Sequence, residues 1–432
     1  MAARRAPRAP LRRAHAWGRR RRQGRDPRPD PRARRLRRGR RRRGLRRARD
    51  RRARRSCPRA PTRPDRRRDR AARSEPGRAA RPRHGPRRGA RVINKEQSLE
   101  APAARPSGKN AQWTRSTLAR ALFSLALVLA LGVVFPAEGA FFRLGTHQGA
   151  WRQASVVGIL ACGLLPVILA GGIDLSVGSV LGLSAVVAAK LSIHEGAPAW
   201  LSVFCVLAIG ATCGAASGAV VAFARVQPFV ATLAMMVFAR GLAKTASGGT
   251  KVATAVPGPD GALHYVDVPP LFRALDAQVF GGDVAAVTLV FLAIAVVVGF
   301  FCARHRIGRY WYAVGGNEEA ARLSGVPVRA TKILAYVISG LCAAAAGICQ
   351  AAQEQQGDPE AGVTYELTAI AMVVIGGTSL KGGRGGMGLT LLGILTIGYL
   401  DKILSINAVP EASRLMLTGA IVIVAAVAQK NS

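Results

Sequence analysis

The sequence predicts an all-α, polytopic transmembrane helical bundle of about ten spans, within a range of eight to ten. Three observations predict it. From Leu118 onward, long apolar runs alternate with short polar breaks. The runs approach the roughly 20 apolar helical residues needed to cross a hydrocarbon core about 30 Å thick. The breaks also alternate in charge, as expected where cytoplasmic loops retain Lys and Arg.

Composition alone does not give this answer. The chain has 432 residues, 49% hydrophobic and 20% charged, and a formal net charge of +41. No single class combines these values, so the chain reads as two materials. Residues 1–91 hold 40 of the 64 basic residues, all Arg, against 6 of the 23 acids, and contain no Lys, Ile, Val, Phe, Tyr or Asn. Such a segment has almost no apolar surface to offset chain entropy and is expected to be disordered. An apolar stretch with a small-residue cleavage site, the mark of a targeting peptide, does not occur before Leu118. Two readings stay open beside a folded domain: a basic arm for nucleic acid or anionic lipid, or translated upstream DNA, since the favoured residues have GC-rich codons. On the second reading the chain proper starts at Val92, and residues 92–114 form a cytoplasmic tail before a permeation domain at 115–430.

The candidate spans, in order, are 118–135, 154–171, 175–193, 199–223, 228–246, 284–302, 333–351, 366–380, 387–404 and 415–428. The break at 303–332 carries Arg304, Arg306, Arg309, Arg322, Arg329 and Lys332, which places it in the cytoplasm. The next break carries Glu354, Asp358 and Glu360 without Lys or Arg, which places it outside. Propagating the alternation puts both termini in the cytoplasm. Arg143, Arg152, Lys190, Lys244 and Lys251 run against it. Within the spans, Gly210, Gly214 and Gly218 recur every fourth residue, as do Gly178 and Gly182, and small residues on one face allow close helix approach in lipid. Cys162, Cys205, Cys213, Cys302, Cys342 and Cys349 lie in or beside apolar runs without metal-ligand spacing, and read as small buried hydrophobes.

Three stretches depart from plain span composition. Gly171–Ser184, GGIDLSVGSVLGLS, places Asp174 inside an apolar region. A carboxylate there must face protein, a water-filled passage or the membrane surface, and glycines allow a helix break that lines a cavity. Gly171, Gly172, Asp174 and Ser176 are therefore candidate passage residues, with capping of the next helix by Asp174 as the competing reading. Gly376–Leu389, GGTSLKGGRGGMGL, repeats the paired glycine and adds Gly376 and Gly377 to that set. The phosphate-loop pattern GxxxxGK[ST] is absent throughout. The third stretch, Arg304–Tyr336, contains Glu318, Glu319, Ala320, Ala321 and Arg322, which read as a short amphipathic helix capped by Asn317 and stopped by Gly325 and Pro327. A charged helix between two spans looks built to dock a cytoplasmic partner.

The segments GGIDLSVG, GRYWYAVGGNEEAARLSGVPV and YELTAIAMVVIGGTSLKGGRGG occur in that order and resemble the ribose-type branch of the binding-protein-dependent ABC sugar permeases, over about residues 115–430. The resemblance implies an ATP-driven importer of a simple sugar in a bacterial inner (plasma) membrane. It implies an ABC ATPase partner that holds ATP and Mg, a periplasmic sugar-binding protein, and a second permease copy in the same lipid bilayer. This chain would then hold no cofactor and catalyse no reaction, and nucleic acid is not an expected partner. Gly315, Gly316 and Asn317–Gly325 would form or adjoin the helix coupled to the ATPase. Where members carry an Asn-Gly pair after the ninth span, Leu400, Asp401, Lys402 and Ile403 stand here, so the sugar stays open. The alternative, an ion-coupled transporter of a small polar solute, would need ionisable groups within the spans, for which Asp174, Glu366 and Asp401 are the candidates.

Overall fold

The computed structural model describes residues 108–257 and 262–430. The Arg-rich segment 1–91 and the stretch that follows it to 107 lie outside the described residues. The main helices are α1 Gly108–Val134, α2 Leu144–Leu169, α3 Val177–Ala189, α4 Ala199–Phe223, α5 Pro228–Ser247, α6 Pro270–Asp276, α7 Ala286–Arg304, α8 Arg306–Gly316, α9 Glu318–Leu323, α10 Val328–Glu354, α11 Tyr365–Ile375, α12 Met387–Ile406 and α13 Glu411–Lys430. Two small antiparallel hairpins, Ala255–Pro257 with Leu263–Tyr265 and Gln278–Val279 with Val284–Ala285, lie between α5 and α7.

Among the described residues, eight helices are long and apolar enough to cross a membrane, which bears out a polytopic all-α bundle. Several boundaries differ from expectation, the start of α2 at Leu144 rather than 154 among them. The apolar run expected at 366–380 is helical only to Ile375. Its 11 residues reach about 16 Å, half a bilayer core. Beyond it Gly377 takes φ 106°, and the chain leaves the helix. Conversely, α10 starts at Val328, right after Pro327, rather than at 333, because Pro is favoured just ahead of a helix and tolerated in its first turn.

The core forms around α10, which packs on α2, α3 and α4. The glycine stripe of α4 makes this possible: a Cβ on Gly210 or Gly214 would overlap the backbone carbonyls of Gly340 or Tyr336. That is the close approach the four-residue spacing predicts. Gly178 and Gly182 instead face the loop 355–364, against Gly362 and Ala361. Five of the six described cysteines are buried and Cys205 is half-buried. Large apolar side chains such as Trp200, Phe204, Phe238 and Phe300 are exposed along the helices, as expected of surfaces that meet lipid rather than water.

Candidate functional site

At the α9 end of the bundle the chain reverses twice. In the first turn of α8, Gly308 sits so close to the carbonyls of Phe301 and Cys302 at the end of α7 that no side chain fits, and the His305 side chain caps α8 by accepting from the Ile307 amide at 3.3 Å. Trp311, fully buried, donates its indole N–H to the Thr331 carbonyl at 3.1 Å. This fixes α8 to the start of α10. Tyr312 donates its hydroxyl to the Gly385 carbonyl at 3.0 Å.

The predicted partner helix is present as α9. Asn317 Oδ1 accepts from the Ala320 amide at 3.0 Å, satisfying one of the otherwise unpaired N-terminal donors. Gly325, at φ 80°, ends it, with the Val326 amide returning to the Ala321 carbonyl at 3.0 Å, the αL stop that glycine favours. Glu318 pairs with Lys332 at 2.7 Å and Glu319 with Arg322 at 2.6 Å. Burial falls on Ala321, while Glu318, Glu319, Ala320, Arg322 and Leu323 are exposed, Leu323 to 79%. α9 therefore presents one exposed leucine beside its charged side chains, on a helix tied down at both ends.

The last turn of α8, directly ahead of α9, is joined to the helix breaks through backbone. Gly315 closes against the Leu169 carbonyl, and a Cβ on it would lie 2.6 Å from the Gly383 nitrogen. The Gly383 amide donates to that same Leu169 carbonyl at 2.9 Å. A Cβ on Gly382 would lie 2.9 Å from the Cα atoms of both Gly171 and Gly315. Three segments that are distant in sequence, 169–172, 315–316 and 381–385, therefore meet at a junction that leaves no room for a side chain at Gly315, Gly382 or Gly383.

From this junction the chain runs back into the bundle. The Ile173 carbonyl accepts from the hydroxyls of Tyr336 and Thr232, each at 3.3 Å. Asp174 is 1% exposed. Its Oδ1 accepts from the Ser176 amide at 2.9 Å and hydroxyl at 2.6 Å, and its Oδ2 accepts from the Ser339 hydroxyl at 2.7 Å. The N-cap residue of α3 is Ser176, so Asp174 braces the break against α10 from two residues upstream. Gly172 faces the Tyr336 hydroxyl.

Gly376 and Gly377 do not join Gly171 and Gly172. They pack on the Leu389 carbonyl and the Thr117 methyl. The glycine that reaches Gly171 is Gly382, while Gly383 closes on Gly315 and Gly316; both lie in the run GGRGG, outside the residues expected from the sequence.

At the opposite end, three of the five cations that run against the charge pattern have acidic partners. Lys244 pairs with Glu360 at 2.6 Å, Lys251 with Asp358 at 3.0 Å, and Arg152 with Asp276. Arg240 donates to the carbonyls of Pro359 and, at 2.8 Å, Ala361. The loop 355–364 is thus strapped to α5.

Residues 149–426 match the family model described as branched-chain amino acid transport system / permease component. The chain belongs to this permease family. It is also similar to the ribose import permease protein RbsC of Escherichia coli K12, at 38% identity over 74% of this chain and 96% of that protein. The fructose import permease protein FruG of Bifidobacterium longum is 34% identical over 73% and 90% of the two chains. The xylose transport system permease protein XylH of E. coli K12 is 31% identical over 77% and 97%. No solved structure matches significantly. The permease is thus a multi-pass inner-membrane transport component.

Proposed function

We propose that this permease is the membrane-spanning subunit of an ATP-driven importer of a neutral monosaccharide, working as one of two copies with a cytoplasmic ABC ATPase and a periplasmic sugar-binding protein. The family description names branched-chain amino acids, whereas the relatives named above carry sugar names across nearly their full length; the longer and more specific likeness favours a sugar. The observation that carries the coupling is the contact of Gly315 with Leu169 and Gly383. Motion of α9, driven by a partner that hydrolyses ATP, would pass through Gly315 to the break ahead of α3 without slack. ATP and Mg would sit on that partner. The cluster of Arg and Lys around α8 and α9 supports a cytoplasmic position for this end.

The test uses the gene at its own chromosomal locus, so that partner subunits are retained. Affinity purification of the permease is expected to bring down an ATPase, and deletion of Asn317–Gly325 to abolish both co-purification and uptake. The milder Asn317→Ala removes only the cap, about 1 kcal/mol of helix stability, and is expected to lower uptake several-fold while Asn317→Asp does not. Undiminished uptake in the deletion refutes the coupling role.

A further inference from the structure

At the end opposite α9, five helices bring polar groups to one place. The Gln153 amide of α2 donates to Asp401 Oδ2 of α12 at 2.7 Å, and Arg414 Nη1 of α13 donates to Asp401 Oδ1 at 2.9 Å. From α10, the Gln350 amide donates to Glu354 Oε1 at 2.5 Å, and Tyr365 opens α11. Gln350 is buried, Asp401 and Arg414 are part-exposed, and Gln153 is exposed. Arg414 Nε is buried and has no partner among the described residues.

Gln153 stands nine residues inside α2 and Asp401 five residues before the end of α12. These positions lie about 13 Å and 7 Å along their helices. An exposed amide, carboxylate and guanidinium at such positions do not sit against hydrocarbon, so the open side of this cluster borders water. The chemistry narrows the solute. Asp401 and Arg414 pair with each other and Glu354 is held by Gln350, so neither the guanidinium nor the Asp401 carboxylate is left free to hold one end of a zwitterion. Amide, carboxylate and guanidinium together offer donors and acceptors at close spacing, the complement of adjacent hydroxyls, and Tyr365 adds an aromatic ring at the edge.

We propose that the face carrying Gln153, Tyr365, Asp401 and Arg414 lines the outer end of the passage and takes the hydroxyls of a neutral monosaccharide rather than an amino acid. This rests on the sugar-importer reading above. Asp401 and Gln153 are the contacting groups, and Arg414 positions Asp401.

The test labels single cysteine variants with a membrane-impermeant maleimide on intact cells, again from the native locus, with the wild-type background subtracted. Gln153→Cys is expected to react, and its rate to fall at least threefold in the presence of whichever of ribose, xylose or fructose the cells import through this gene. Leucine is expected to leave it unchanged. Phe238→Cys, on the apolar face of α5, should stay unlabelled, and Glu195→Cys, in the loop after α3, should label with or without sugar. In parallel, Asp401→Asn is expected to lower uptake of that sugar at least tenfold at an unchanged membrane level of permease. Labelling of Gln153→Cys without protection by sugar, protection by leucine, or wild-type uptake in Asp401→Asn each overturns the site alone. Uptake of all three sugars unchanged on deleting the gene overturns the importer reading, and the sugar site with it.

Discussion

At the end of the bundle that carries α8 and α9, three segments meet backbone to backbone through Gly171, Gly315, Gly382 and Gly383. At the other end, the connections are side chains of opposite charge: Lys244 with Glu360, Lys251 with Asp358, Arg152 with Asp276, Arg414 with Asp401. The two kinds of contact fail in different ways. A glycine junction has no side chain to rearrange, so displacement of one segment must move the others. Ion pairs at the protein surface are individually weak and exchange readily with water, so they can be remade one at a time, with the Arg240 bonds to Pro359 and Ala361 as the firmer hold on the loop. A stiff joint beside the proposed partner helix and a releasable strap at the far end suit a molecule that converts a push on one side into opening on the other.

The largest effect is expected where the joint is broken. Gly315→Ala forces a methyl into the Leu169 carbonyl and to within 2.6 Å of the Gly383 nitrogen, and both obstacles are backbone. Overpacking of this kind costs about 1–3 kcal/mol and shifts backbone. Uptake should fall at least tenfold while permease still reaches the membrane, as read by immunoblot. Gly316 is the control. Its Cβ would meet nothing within 4 Å, and Gly316→Ala should stay within twofold of wild type. If the two substitutions behave alike, the junction transmits nothing and the contrast between the ends collapses.

Sequence showed one side of this comparison only in part. α9 was legible because its signals are local: Asn317, the charged turn and Gly325 lie within nine residues. The stripe of Gly210, Gly214 and Gly218 was legible because its four-residue period is itself the packing rule. The junction was not. Nothing in Gly382 or Gly383 says that residues roughly 70 and 210 positions earlier will touch them, and the resemblance of GG at 171–172 to GG at 376–377 pointed to the wrong pair. The early end of α11 was hidden for a related reason, since hydropathy rises through Ile375 and does not register the turn that Gly377 allows. The ion pairs of the far end looked like exceptions to the charge pattern because each cation's acid lies on another element.

The next effect tests the strap. Arg240 is half-buried and donates to two carbonyls of the loop, Pro359 and Ala361. Hydrogen bonds from a charged donor contribute about 1.5–3 kcal/mol each, so Arg240→Ala should destabilise the loop by about 3 kcal/mol. Limited proteolysis between 355 and 364 should accelerate strongly. Lys244→Ala, which removes one exposed pair, should change the same rate only slightly, because such pairs contribute about 0–1 kcal/mol. Equal effects would mean that the strap is electrostatic throughout rather than anchored by Arg240.

The smallest effect is a pH dependence confined to the pair Asp358 and Lys251. Burial raises the Asp358 carboxyl, but the Glu360 amide at 2.8 Å and the Lys251 ammonium at 3.0 Å bring it below its ordinary value. The hydrogen bond and charge of Asp358 raise Lys251 above its own. A depressed carboxyl contributes stability that is fully present above the unfolded value, near 4, and is lost as pH falls through the lower folded value. A raised ammonium contributes below its unfolded value, near 10.4, and loses that contribution as pH rises through the folded one. The strap should therefore be uniform between those limits and loosen on the acid side. The reporters are the amides of Val252 and Gly357, which donate to each other's carbonyls at 2.8 Å. Their hydrogen-exchange protection, corrected for intrinsic rates, should be flat from pH 5 to 9 and decline below pH 4, and Asp358→Asn should lower the plateau and abolish the acid decline. An acid decline that persists in Asp358→Asn would move the sensitivity to Glu360 and its partner Lys244, and leave Arg240 as the contact that distinguishes this end from the glycine junction.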